Sequence, residues 1–139
     1  YIFAGLTYPG IPKVRIRTIK NEAFTIGDIE FIPIQVMHYK LPVLGFRIGD
    51  FTYITDANFI SPKERTKASN SKFLVLNALH HKPHISHFNL EEAKAVSKII
   101  GAEQTYFTHI SHYMGLHDSI NKTLSNDMKL AFDGLQLKV

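Results

Sequence analysis

Cysteine and tryptophan are both absent from the 139 residues. Without cysteine there are no disulfides and no thiolate metal sites, so any metal must sit on imidazole or carboxylate. No apolar run approaches the roughly 18–20 residues that cross a bilayer, which leaves no membrane-spanning helix to expect. No block of five or more like charges occurs either. The formal charge of +4 is spread along the chain, which argues against a nucleic-acid stripe. The pI near 9.3 mildly favours an anionic partner. No signal peptide is visible, although Tyr1 is not a natural start and an upstream segment is expected. A reducing, cytoplasmic location is the expectation. An apolar fraction of 45% at this length suits one soluble domain with a real core.

Hydrophobic periodicity sets out the elements. Lys13–Ile19 alternates like a strand with one wet face. Phe24–Ile26 and Ile29–Met37 flank Gly27-Asp28, and Leu44–Ile48 and Phe51–Thr55 flank Gly49-Asp50, two hairpin signals. Ser61-Pro62-Lys63-Glu64 has the form of a capping box opening a helix. The apolar run Phe73–Leu79 fits a buried strand. Asn89 caps a helix over Leu90–Ile100 that stops at Gly101, and Gln104–Thr108 returns as a second strand. This βαβ unit makes its two strands parallel, so the loops after Leu79 and Thr108 leave one edge of the sheet, where ligands collect. A short helix from about Asp118 to Ser125 and a hairpin of Met128–Phe132 with Leu135–Val139 complete the expectation of a mixed α/β fold.

What the chain has in quantity is histidine. Seven of the eight lie between His80 and His117, in the runs His80-His81-Lys82-Pro83-His84-Ile85-Ser86-His87 and Thr108-His109-Ile110-Ser111-His112. Tyr53-Ile54-Thr55-Asp56 precedes them and ends on a carboxylate. Imidazoles and a carboxylate at strand ends suit zinc or manganese. His38, Asp56 and His109 are therefore candidate metal ligands. Each has a plainer alternative: Asp56 capping a turn, His38 and His109 as hydrogen-bonded core histidines. His87 lies 22 residues before His109, and the βαβ geometry returns both to one edge. There it could donate a proton to a leaving oxygen, or simply be a loop histidine. His80, His81, His84 and His117 are read as structural or supporting. His112, three residues past His109, is the candidate substrate contact.

Taken together, Gly45-Phe46-Arg47-Ile48, Tyr53-Ile54-Thr55-Asp56, Pro83-His84-Ile85-Ser86-His87 and Thr108-His109-Ile110-Ser111-His112 resemble the second half of the metallo-β-lactamase superfamily. The likeness is greatest to the PhnP-like phosphodiesterases, with RNase Z more distant, and extends over about Ile29–Val139. It implies an αββα sandwich with two divalent metal ions, zinc or manganese, that activate a hydroxide and clamp a phosphate. On this likeness His38 completes the first metal site, Asp56 bridges, His109 belongs to the second, and His87 assists departure of the leaving oxygen.

One departure matters. The superfamily's His-x-His-x-Asp-His motif, which supplies four further metal-site residues, is not in the sequence. Residues 1–139 are accordingly expected to be the C-terminal half of one domain, weakly active or inactive alone. The implied function is hydrolysis of a small phosphate ester, a cyclic ribose phosphate among the candidates. RNase Z-like processing of RNA ranks lower: that branch carries an inserted arm, and only 17 residues separate His38 from Asp56. A non-catalytic binding module is the third reading. A half-fold would also expose an apolar sheet face that favours self-association.

Overall fold

Two kinds of strand pairing meet in one mixed sheet. The computed structural model describes residues 17–139. Its strands are β1 (Phe24–Ile26), β2 (Ile29–His38), β3 (Leu41–Ile48), β4 (Phe51–Ile54), β5 (Phe59–Ile60), β6 (Phe73–Asn77), β7 (Gln104–Thr108) and β8 (Met128–Leu130). The helices are α1 (Pro62–Ala68), α2 (Leu90–Ile100) and α3 (His117–Asn121). Spatial order is β1-β2-β3-β4-β6-β7-β8, with β5 beside the end of β2. Pairing is antiparallel from β1 to β4 and parallel from β4 to β8. Consequently β2, β4, β6, β7 and β8 all run the same way, and their carboxyl ends share one edge.

Strand alternation divides the residues between two faces. Ile34, Val36, Ile54, Leu74, Leu76, Phe107, Met128 and Leu130 are at most 2% exposed and form the core with Ala68, Leu90, Ala93 and Ile100 of the helices. On the opposite face lie Phe24, Phe31 and Phe46, stacked or edge-on at 5.4–6.3 Å, followed by Phe51, Tyr53, Phe73 and Tyr106. Tyr53 is 41% exposed. The terminal residues Leu135, Leu137 and Val139 lie over part of that face, against Phe51, Tyr53 and Val75.

Gly45 in β3 leaves no room for a side chain beside β4. A Cβ there would meet Ile54 Cγ1 and the Tyr53 carbonyl oxygen, each at 2.8 Å. Helix α2 is capped at both ends, with the Asn89 and Glu92 side chains each bonded to the other's backbone N–H and Gly101 left-handed at φ 72. Such a cap contributes about 1 kcal/mol.

Several elements differ from the sequence expectation. The Lys13–Ile19 strand lies mostly outside the described residues, and its end at Arg17–Ile19 is irregular. The α1 capping box is only half formed. Ser61 Oγ accepts from the Glu64 N–H at 3.3 Å, but the Glu64 carboxylate turns instead to the Gln35 N–H at 2.7 Å, Asn21 and Lys67. Helix α3 ends at Asn121 rather than near Ser125. The final hairpin does not form. Met128–Leu130 pairs in parallel with β7, while Leu135–Val139 makes no ladder. Leu135, Leu137 and Val139 instead line a hollow on the sheet face, where Leu135 and Leu137 are half-buried and Val139 stays exposed.

Candidate metal centre

Four strand ends deliver the candidate residues to the shared edge. His38 closes β2, Asp56 follows β4, His87 ends the loop after β6, and His109 follows β7. The loops are tied together by backbone bonds: Asn58 N–H to Met37 O, Phe88 N–H to Ala57 O, Ala78 N–H to Thr108 O and Ser111 N–H to Leu79 O, all 2.8–2.9 Å.

Asp56 and His109 both adopt left-handed backbone, at φ 52 and φ 57. This conformation is uncommon outside glycine, though Asp, Asn and His tolerate it best. It turns each side chain off the end of its strand. Strain of this kind tends to collect at functional sites.

The side chains converge. His87 Nε2 and His109 Nε2 each lie 3.1 Å from Asp56 Oδ1. The His87 and His109 rings stack at 4.7 Å and 12°, and the His38 ring stands edge-on to His87 at 4.8 Å. One donor atom from each of His38, Asp56 and His87 falls within 4.8 Å of the others. Ligands about 2.0–2.2 Å from a tetrahedral ion sit roughly 3.3–3.6 Å apart; the two 3.1 Å contacts to Asp56 are close to that spacing, and the 4.8 Å group of His38, Asp56 and His87 would draw in to close on zinc or manganese.

Burial lowers the His87 pKa, as do nearby His109 and His38, against the raising effect of the Asp56 hydrogen bond. The lowered pKa favours the neutral imidazole, the form that ligates metal, hydrogen-bonded to the Asp56 carboxylate. The other ring nitrogen, Nδ1, meets Ser86 Oγ at 2.9 Å and His84 Nδ1 at 3.1 Å.

The remaining histidines are disposed differently. His81 Nε2 meets Met114 O at 2.9 Å, and His117 Nε2 meets Leu130 O at 3.2 Å. His80 accepts from the Lys82 N–H. His112 is exposed and packs on Tyr113, with ring centroids 3.9 Å apart.

Two positioning residues escape a reading based on histidine and aspartate. Asn77 is fully buried; its Oδ1 accepts from Ala57 N–H and its Nδ2 donates to Ala57 O, both at 2.9 Å. It clamps the residue after Asp56. Asn58 Oδ1 accepts from Tyr39 N–H at 2.9 Å and its Nδ2 donates to Ile85 O at 3.0 Å, joining the His38 turn to the His87 loop. The signal for Asn77 was an amide ending the apolar run Leu74-Val75-Leu76, since a buried amide needs partners.

The model of the beta-lactamase superfamily domain matches residues 2–110. The chain belongs to this superfamily. Among solved structures it is similar to a diphosphatase from the PhnP family, at TM-score 0.88 and 33% identity over 91% of this chain and 50% of that one. The fold is also shared with YhfI from Bacillus subtilis, a metallo-beta-lactamase fold protein, at TM-score 0.71, 21% identity and coverage of 86% and 54%. Human tRNase Z, short form, has the same fold at TM-score 0.62, 16% identity and coverage of 81% and 42%. An octanoyltransferase of Porphyromonas gingivalis (strain ATCC BAA-308 / W83) is 30% identical over 138 residues, 98% of this chain but 28% of that protein. The chain thus spans about half the length of the diphosphatase and little over a quarter of the octanoyltransferase. The PhnP-like resemblance drawn from the four motifs agrees with these matches, as does the mixed α/β class.

Proposed function

We propose that the site serves a metal-dependent phosphodiester hydrolase acting on a small phosphate ester. The observation that carries this is the convergence of two imidazoles on one oxygen of Asp56, with His38 beside them. Likeness to a PhnP-family diphosphatase at 33% identity supports the phosphate chemistry. In this reading His38, Asp56 and His109 would hold zinc or manganese, the divalent ions that the resemblance implies. When bound, the metal supplies Lewis-acid polarisation of the phosphoryl oxygens and an activated nucleophile.

The chain's own residues do the rest. Asn77 and the left-handed backbone hold the Asp56 carboxylate toward both imidazoles. In its protonated form His87 can give a proton to the departing oxygen and become the neutral imidazole that its surroundings favour, while Ser86 and His84 hold the ring from its far side. His112, exposed and away from the cluster, is a proposed contact for the outer part of the substrate.

RNA as substrate is the lesser reading. Between His38 and Asp56 the structure contains two tight hairpin turns and no inserted arm. Octanoyl transfer names the activity of a protein this chain matches over only 28% of its length.

The test is made on the gene product isolated from its source cells. Intact mass, metal content and hydrolysis of a 2′,3′-cyclic nucleotide, bis(p-nitrophenyl) phosphate and precursor tRNA are measured together. Bound zinc or manganese with turnover of the small diesters is expected. A metal-free protein inert to all three substrates would return the site to a binding module, and cleavage of precursor tRNA alone would favour RNA processing.

A further inference from the structure

The ring of His87 meets opposite demands at its two nitrogens. On one side Nε2 lies 3.1 Å from Asp56 Oδ1. A carboxylate only accepts, so this contact draws the ring proton to Nε2. On the other side Nδ1 lies 3.1 Å from Nδ1 of His84. His84 Nδ1 accepts from the Ser86 backbone N–H at 3.4 Å, so it turns a lone pair toward His87. Two facing lone pairs repel, and a proton on His87 Nδ1 removes the conflict. A neutral imidazole carries one proton and serves only one of the two sides. With Asp56 holding a metal, as in the proposed function, the far side decides.

The sequence builds that far side locally. In His84-Ile85-Ser86-His87 the His84 imidazole bonds the backbone two residues on, as an asparagine side chain does in an Asx turn. The turn is anchored by Asn58 Nδ2 on Ile85 O at 3.0 Å and by the Phe88 N–H on Ala57 O at 2.8 Å. Ser86 is buried, and its hydroxyl stands 2.9 Å from His87 Nδ1 and 3.4 Å from His84 Nδ1. Facing the His84 lone pair, the Ser86 hydrogen turns to His84, and the Ser86 oxygen is left to accept from His87. Without that lone pair, the hydrogen turns to His87 Nδ1 and the ring proton moves to Nε2.

We infer that His84 is a positioning residue which, directly and through Ser86, holds His87 in the tautomer whose permanent proton is on Nδ1. Nε2 is then the atom that holds and releases the transferable proton. The inference rests on the phosphate-ester reading and adds to it the group that orients the acid. Protonated His87 gives its Nε2 proton to the leaving oxygen; the N–H bond breaks as the O–H bond forms. The neutral ring that remains keeps its Nδ1–H against Ser86 and His84. A proton-transferring histidine oriented by a third group is a general arrangement, and here an imidazole and a hydroxyl supply that group.

The test uses the zinc-loaded gene product at its native length, isotopically labelled in the histidine ring nitrogens, with His87→Gln identifying the His87 signals. Two-bond proton–nitrogen correlation, at a pH where the ring is neutral, shows which nitrogen carries the hydrogen. The parent is expected to carry it on Nδ1 and His84→Phe on Nε2. His84→Asn, whose Oδ1 accepts the same bonds, should return it to Nδ1. His84 is exposed, so both variants should melt near the parent. Hydrolysis of a 2′,3′-cyclic nucleotide, whose leaving alkoxide needs a proton, should lose about tenfold in kcat in His84→Phe and recover in His84→Asn. Bis(p-nitrophenyl) phosphate, whose phenolate departs without a proton, should lose little. A parent with its proton on Nε2, or a His84→Phe protein that keeps it on Nδ1, would overturn the inference even where both diesters are cleaved. Tautomers that respond as stated in a protein that cleaves neither diester uphold the positioning and overturn the phosphate-ester reading.

Discussion

His87 and His109 share a single oxygen of Asp56. Each Nε2 stands 3.1 Å from Oδ1, and the two rings stack between them at 4.7 Å. Two imidazoles this close repel one another when protonated, so the carboxylate and the neutral state of buried His87 hold the arrangement together. A divalent ion would replace the proton-mediated contacts with coordinate bonds.

Asp56→Asn tests that arrangement with little disturbance to the backbone, because asparagine tolerates the left-handed conformation at φ 52. Zinc or manganese should raise the melting temperature of the wild type by mass action, and a chelator should reverse the gain. In Asp56→Asn that gain should vanish, and calorimetric metal affinity should fall by more than the roughly 10- to 100-fold typical of losing an outer partner. A variant that binds metal as the parent does would remove Asp56 from the ligand set.

Asn77→Ala should be costly without touching any candidate ligand. Ala57 O keeps a partner in the Phe88 N–H at 2.8 Å, but the Ala57 N–H loses its acceptor in a fully buried setting. One orphaned buried N–H costs about 1–3 kcal/mol. Urea unfolding should show a loss of that size, and calorimetry a weaker metal complex, since Asp56 loses its fixed neighbour. Loss of stability with unchanged metal affinity would make Asn77 purely a fold residue.

Much of this was legible in the residues themselves. Turn pairs such as Gly27-Asp28 and Gly49-Asp50, the Asn89 cap and the Phe73 run placed the strands and α2, because local chemistry and tertiary structure agree there. The βαβ unit brought the loops of His87 and His109 to one edge, and the family resemblance joined the strand-end residues His38 and Asp56 to them. What stayed hidden depends on distant partners. Glu64 fits a capping box until the Gln35 N–H of another strand claims its carboxylate. Leu135–Val139 alternates like a strand but lies across the aromatic face. The positive φ of Tyr39, Asp56 and His109 has no glycine to announce it.

Gly45→Ala addresses the scaffold under the site. Its new Cβ would stand 2.8 Å from the Tyr53 carbonyl oxygen and from Ile54 Cγ1. The backbone oxygen cannot rotate aside, so β3 and β4 must separate locally. Overpacking of this kind costs about 1–3 kcal/mol, measurable by thermal or urea unfolding. Because Ile54 lies two residues before Asp56, metal-induced stabilisation should shrink as well. An unchanged melting temperature would show that the strand pair yields freely at this point.

Glu64 should contribute to acid sensitivity. Burial raises its pKa, but hydrogen bonds from Lys67, the Gln35 N–H and Asn21, with the Lys67 charge, outweigh burial and hold it below the ordinary value of 4.5. A carboxylate whose folded pKa is depressed contributes stability above its unfolded pKa, and that stability is lost as pH falls through the folded value. Glu64→Gln should therefore cost about 1–3 kcal/mol at neutral pH, the scale of hydrogen bonds to a charged group. The stability gap between wild type and Glu64→Gln should hold above about pH 4.5 and narrow progressively below it. Urea unfolding of both proteins across that interval decides the matter. If the two curves fall in parallel, the acid response belongs to other carboxylates, and the tie from Glu64 to β2 contributes nothing that titrates.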